Sequence, residues 1–180
     1  MNGVYLKRCG IIGYATQYSL LTKIIDIKTQ TIFVFTGSSS YGDIGGLLGY
    51  LFVQNVLIQN AVVIYSNENM KSDYSSGGLI GFTDINIIAI IDTQIMNSII
   101  CALNFAGGFI GTSHASQINI TSSTIYQTKI FGNVMGIVVG QNVTHGIFNI
   151  QFTNSIQIYI NSILQSDCGS LSNAWSITQC

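Results

Sequence analysis

Gly77-Gly78-Leu79-Ile80-Gly81 is one of three perfect copies of a glycine-glycine-apolar-apolar-glycine signature. The other two are Gly45-Gly46-Leu47-Leu48-Gly49 and Gly107-Gly108-Phe109-Ile110-Gly111, which stand almost equally far from it on either side. A near-constant period of this kind marks an array of one structural unit, whose apolar faces are covered only when neighbouring units stack on them.

Degenerate copies carry the register outward. Gly136-Ile137-Val138-Val139-Gly140 begins one period after Gly107, with Ile137 in place of the second glycine. Cys9-Gly10-Ile11-Ile12-Gly13 begins slightly more than one period before Gly45, and a faint echo, Cys168-Gly169-Ser170-Leu171-Ser172, begins one period after Gly136. Terminal repeats depart from consensus because one of their faces lacks a neighbouring repeat. The expectation is one repeat domain over 1–180, with units starting near 9, 45, 77, 107 and 136 and a partial repeat or cap over 168–180.

Between the signatures, apolar residues alternate with polar ones: Phe148, Ile150, Phe152, then Ile156, Ile158, Ile160; Ile118, Ile120, Ser122; and Val56, Ile58, then Val62, Ile64. A period of two places one set of side chains on one face of a strand, and β-branched residues suit that surface. Polar corners separate such strands at Asn97-Ser98, Ser122-Ser123 and Asn154-Ser155. Each unit then reads as a short strand carrying the signature followed by two alternating strands. Three short strands and three turns make one coil, and the whole is predicted to be all-β, a three-sided parallel β-helix (β-solenoid) of about five coils.

The glycines Gly45, Gly46, Gly49, Gly77, Gly78, Gly81, Gly107, Gly108, Gly111, Gly136 and Gly140 would occupy one corner of every coil. Either a left-handed backbone or a close approach of stacked chains would require them there. An antiparallel sandwich with glycine hairpins is the competing architecture, but hairpins do not call for a double glycine followed by two apolar residues.

The signature resembles the GLUG repeat of microbial surface proteins, adhesins and some secreted peptidases. The matches run from about residue 9 to 167 and are best at Gly77 to Gly81 and at Gly136 to Asn142, where Gln141-Asn142 supplies the polar pair often found after that motif. The resemblance implies an adhesive or accessory stalk with no catalytic residues of its own.

Composition narrows the chemistry. Only 7% of residues are charged and the formal net charge is −1, which leaves little electrostatic attraction for nucleic acid. Of the six basic residues, Lys7, Arg8, Lys23 and Lys28 cluster near the N-terminus and read as a solvated face. Proline is absent, as fits strands whose N–H groups are needed in ladders. Although 48% of residues are hydrophobic, the richest run, 47–64, is broken by Gln54, Asn55, Gln59 and Asn60, so no transmembrane helix is expected.

No secretory signal is legible at the N-terminus, and the chain reads as a fragment of a longer surface or secreted protein. Asn119-Ile120-Thr121 and Asn142-Val143-Thr144 match the N-glycan acceptor pattern and favour an extracellular or cell-surface setting. Cysteines at 9, 101, 168 and 180 lack the spacing of a zinc site. Cys168 and Cys180 are the candidate disulfide, whereas Cys101 reads as a small buried side chain.

An enzyme acting on polysaccharide is the rival of a different class, since parallel β-helices serve that chemistry. It needs carboxylates converging on one groove. Here Asp26, Asp43, Glu68, Asp73, Asp84, Asp92 and Asp167 are scattered through different units, and only Asp84 and Asp92 are close in sequence. His114 and His145 follow the signatures at comparable positions, but no acid or cysteine recurs beside them to complete a metal site. No catalytic residue, metal or cofactor is expected. The polar corners Asn97, Ser122 and Asn154 are the candidate contact surface, either laddered along the axis or facing a protein or glycan. The sequence expectation is a non-enzymatic structural or adhesive segment whose coils can also dock end to end.

Overall fold

The computed structural model describes residues 8–9, 11–16, 22–32, 42–66, 75–144, 147–152 and 157–159. They form an all-β solenoid of about three turns in which every described strand pairing is parallel. Three sheets run along it. In the first, Arg8–Cys9, Asp43–Gly45, Ser75–Gly77, Phe105–Gly107 and Val134–Gly136 lie side by side in that order. In the second the order is Ile12–Thr16, Leu48–Phe52, Ile80–Thr83, Ile110–Ser113 and Val139–Asn142. The third, of ten strands, holds the rest of each turn and includes the long strand Gln117–Phe131.

The signature does not sit within one strand, as its apolar pair suggested, but bends the chain between the first and second sheets. Its first glycine ends one strand, its second glycine and third residue make the bend, and its fourth opens the next strand. Gly45, Gly77, Gly107 and Gly136 stand in one backbone column. The ladder is continuous through the bend because one carbonyl serves two successive amides. The Leu79 carbonyl accepts from the N–H groups of Leu47 (3.0 Å) and Leu48 (2.9 Å), and the Phe109 carbonyl accepts from Leu79 (2.9 Å) and Ile80 (3.0 Å). At the three perfect signatures the N–H groups of the second, third and fourth residues all reach a carbonyl of the next coil.

Close approach, not left-handed backbone, is what these glycines supply. A Cβ built on Gly77 would lie 2.7 Å from the Gly111 nitrogen and 2.8 Å from the Phe109 oxygen, and one built on Gly78 would lie 2.7 Å from Cδ1 of Ile95. The first glycine of one coil thus faces the fifth glycine of the next, and the second makes room for an isoleucine arriving from the third sheet. Cys9-Gly10-Ile11-Ile12-Gly13 follows this plan with a shorter bend: Ile12 pairs with Leu48 as expected, but Cys9 pairs with Ile44 instead of Gly45.

In the third sheet the alternating residues become columns. Val56, Ile88 and Ile118 stack in register, as do Ile58, Ile90 and Ile120, and all six are buried. Burying each such side chain contributes on the order of 2 kcal/mol. Beyond Ile58 the expected register fails. Asn60 adopts a left-handed conformation (φ 53°), which adds a residue without advancing the alternation, so that Ala61, Val63 and Tyr65 are buried while Val62 and Ile64 are only half-buried. The same device recurs at Asp26 (φ 57°), Asp92 (φ 49°) and Ser122 (φ 52°). These four corners bond in sequence along the axis, Asp26 N–H to the Gln59 carbonyl, Asn60 N–H to that of Ile91 and Asp92 N–H to that of Thr121.

Candidate functional site

The polar corners belong to two columns, not one. Ser122 stands with Asp26, Asn60 and Asp92, whereas Asn97 (φ 49°) stands with Gln127 (φ 47°), its N–H bonded to the Tyr126 carbonyl at 3.0 Å. Asn154 lies outside the described residues. Two coils pass through both columns in turn, Asp92 then Asn97, and Ser122 then Gln127, whereas the coil of Asn60 has no second left-handed residue among those described and runs on as the strand Val62–Ser66.

The residue after each of these corners carries the chemistry that the sequence reading overlooked. Thr93, Ser98, Ser123 and Thr128 are all buried, and each hydroxyl donates to the carbonyl two residues earlier: Ile91, Met96, Thr121 and Tyr126. The Ser98 hydroxyl also accepts the Tyr65 N–H (3.0 Å) and that of Ser123 the Thr93 N–H (3.2 Å), both from the preceding coil. The hydroxyls of Ser98 and Ser123 therefore give the Tyr65 and Thr93 amides a partner where the bend interrupts the regular ladder. The signal was present as corner residue plus Ser or Thr at 92–93, 97–98, 122–123 and 127–128.

Outward side chains also bond along the axis. Asn60 Nδ2 donates to Asp26 Oδ1 at 2.9 Å, and Asn149 Nδ2 donates to Asn119 Oδ1 at 3.0 Å, an oxygen that also accepts from Gln117 Nε2 at 2.9 Å. Asn119 is thus a ladder residue in mid-strand. Asn142 pairs with Ser113 and is half-buried.

On the outer face of the second sheet the rings of Tyr50 and Phe82 stack at 4.8 Å and 6°, and His114 tilts against Phe82 at 5.1 Å and 51°. Both faces of the Phe82 ring are therefore turned toward protein neighbours. Phe52, at the end of the same sheet, is 48% exposed. Further exposed apolar residues, Ile87 and Ile147, begin strands of the third sheet.

Asp84 and Asp92 lie on either side of the five-residue strand Ile87–Ile91, Asp84 at the start of the non-strand residues 84–86 that precede it. His145, Cys168 and Cys180 lie outside the described residues. Among the described residues no group of three or more His, Cys, Asp or Glu is arranged to hold a metal, and no helix is long and apolar enough to cross a membrane. Cys101 is fully buried and disulfide-bonded. Comparison with protein-family models, with curated proteins and with solved structures gives no match.

Proposed function

We propose that this chain is a non-enzymatic structural or adhesive segment of a surface or secreted protein, built as a three-sided solenoid of five coils akin to the GLUG repeat. The single observation that carries the reading is the use of outward side chains as axial links. Asn60 to Asp26, Asn149 to Asn119 and Tyr50 to Phe82 each join one coil to the next, so surface groups stiffen the stack as the core does. Five coils at strand spacing make a rod about 25 Å long. Such a unit transmits position and presents a face; its few charges leave recognition to exposed apolar and amide groups. The face with the exposed Phe52 ring beside the Tyr50 and Phe82 stack suits a glycan or protein contact. The disulfide at Cys101 favours an oxidising compartment outside the cytosol.

A glycan-array binding measurement paired with a polysaccharide-cleavage screen tests this. Binding that is lost in Phe52→Ala, with no cleavage of any polysaccharide, is the expected result. Turnover of a polysaccharide by the purified chain would overturn the reading.

A further inference from the structure

The second glycine of each signature faces the coil that follows it. A Cβ built on Gly46 would run into the Gly78 carbonyl oxygen, one on Gly78 into that of Gly108, and one on Gly108 into that of Ile137. Three successive bends therefore aim this Cβ along the solenoid axis, against backbone that cannot rotate aside. A side chain at this position and a coil stacked in register above it exclude each other. In the fifth coil the position is held by Ile137.

We propose that Ile137 is an axial stop: it ends the glycine column and keeps the first coil of a second copy from stacking head to tail on the fifth. The two ends are otherwise matched for such stacking. In the middle coils the third and fourth signature residues, Leu47 and Leu48, Leu79 and Ile80, Phe109 and Ile110, are at most 2% exposed, because a coil lies on either side. Their counterparts at the ends keep more contact with solvent: Ile11 and Ile12 are 55% and 44% exposed, and Val138 and Val139 are half-buried. The strands around the terminal bends, Arg8–Cys9 with Ile12–Thr16 and Val134–Gly136 with Val139–Asn142, are the outermost of the first and second sheets among the described residues. Such edges, apolar and alike in sequence, are templates for pairing with another copy.

Sheets guard an edge of this kind with a local feature that spoils pairing, and here that feature is a branched side chain where the repeat pattern has none. Ile137 is half-buried and packs, with Met135, Val138 and Val139, against the main apolar core. The one side chain thus covers the end of the core and fills the place that the backbone of an incoming coil would need. The stop belongs to the stack itself and holds whether or not the chain is adhesive.

The ladder supplies the readout. Gly108, Phe109 and Ile110 donate their N–H groups to the carbonyls of Gly136 and Val138 in the next coil. The corresponding donors of the fifth coil are the N–H groups of Ile137, Val138 and Val139, which a stop leaves with no further coil to reach.

Hydrogen exchange of the intact chain, followed amide by amide over a range of protein concentrations, tests this. In the wild type the amides of 137–139 should exchange on the order of 100-fold faster than those of 108–110 at every concentration. Equal protection of the two triplets, or protection of 137–139 that grows with concentration, would overturn the proposal. Ile137→Gly opens the position, and the amides of Val138 and Val139 should then gain protection as its concentration rises. Absence of that gain in a variant that keeps wild-type protection at 108–110 would also overturn it, and if the variant does not fold, the wild-type comparison decides alone.

Discussion

Gly77 and Gly111 face each other across the bend between the first two sheets so closely that a methyl group on Gly77 would lie 2.7 Å from the Gly111 nitrogen. The obstacle is backbone, which cannot rotate away as a side-chain tip can. Gly77→Ala must therefore push two sheets apart and disturb the shared carbonyls of the bend. It should cost about 3 kcal/mol. Gly132→Ala is the internal control: its new methyl would meet Cβ of Ala106 at 3.0 Å and the Val134 oxygen at 3.1 Å, contacts relieved by a few tenths of an ångström. Urea unfolding of the two variants should separate them clearly, and equal midpoints would show that the bend tolerates a side chain.

Ser98 and Ser123 each link the carbonyl two residues earlier to an amide of the preceding coil. Removing either hydroxyl leaves a buried N–H, of Tyr65 or Thr93, without its partner. Ser98→Ala and Ser123→Ala should each cost about 1–3 kcal/mol. Asn97→Gly behaves differently, because φ of 49° at that position suits glycine. It should leave the unfolding midpoint nearly unchanged while Ser98→Ala lowers it. Reversal of that order would mean that the outer corner residue, not the inner hydroxyl, holds the turn.

Thr83 offers a stabilising change. Its side chain is wholly buried, and Oγ1 has no hydrogen-bond partner. Its neighbours in register are Leu51 and Ser113, the latter's hydroxyl oxygen accepting the Ala115 N–H at 3.0 Å. Valine has nearly the same shape and buries no stranded oxygen. Thr83→Val should therefore gain about 1 kcal/mol, which in a chain of this size raises Tm by roughly 2–4 °C. Calorimetry showing a fall in Tm would place a polar contact at Oγ1.

The parallel stack was legible because its cause is periodic: three perfect signatures and the isoleucine columns at 88 and 118 or 90 and 120 repeat at the coil length. What escaped the sequence reading is what breaks a period. A left-handed residue at Asn60 shifts the alternation by one, so Val63 and Tyr65 turn inward where Val62 and Ile64 were expected. Asn97 and Ser122 looked equivalent by composition but belong to separate columns, and only coil-to-coil bonds distinguish them. The glycines were found, yet a string of residues does not tell whether Gly77 is needed for its φ or for the Gly111 nitrogen opposite. The stacked pair of Tyr50 and Phe82, contributed by successive coils, needed the register of the second sheet before it could be seen.

That pair supplies the last test, since it separates stiffness from simple burial. The rings are nearly parallel at 4.8 Å on the outer face, where each is only half-buried, so much of their joint contribution should come from each other and not from the core. A double-mutant cycle with Tyr50→Ala and Phe82→Ala should give a coupling energy of about 0.5–1.5 kcal/mol. If outward side chains link the coils, the double variant should also lose protection from hydrogen exchange at the amides of Leu48–Phe52 and Ile80–Thr83 together, while the third-sheet strand Ile87–Ile91 keeps its protection. Additive single-variant costs with unchanged exchange would mean that the rings merely cover the sheet, and that the rod draws its rigidity from backbone ladders and buried isoleucine alone.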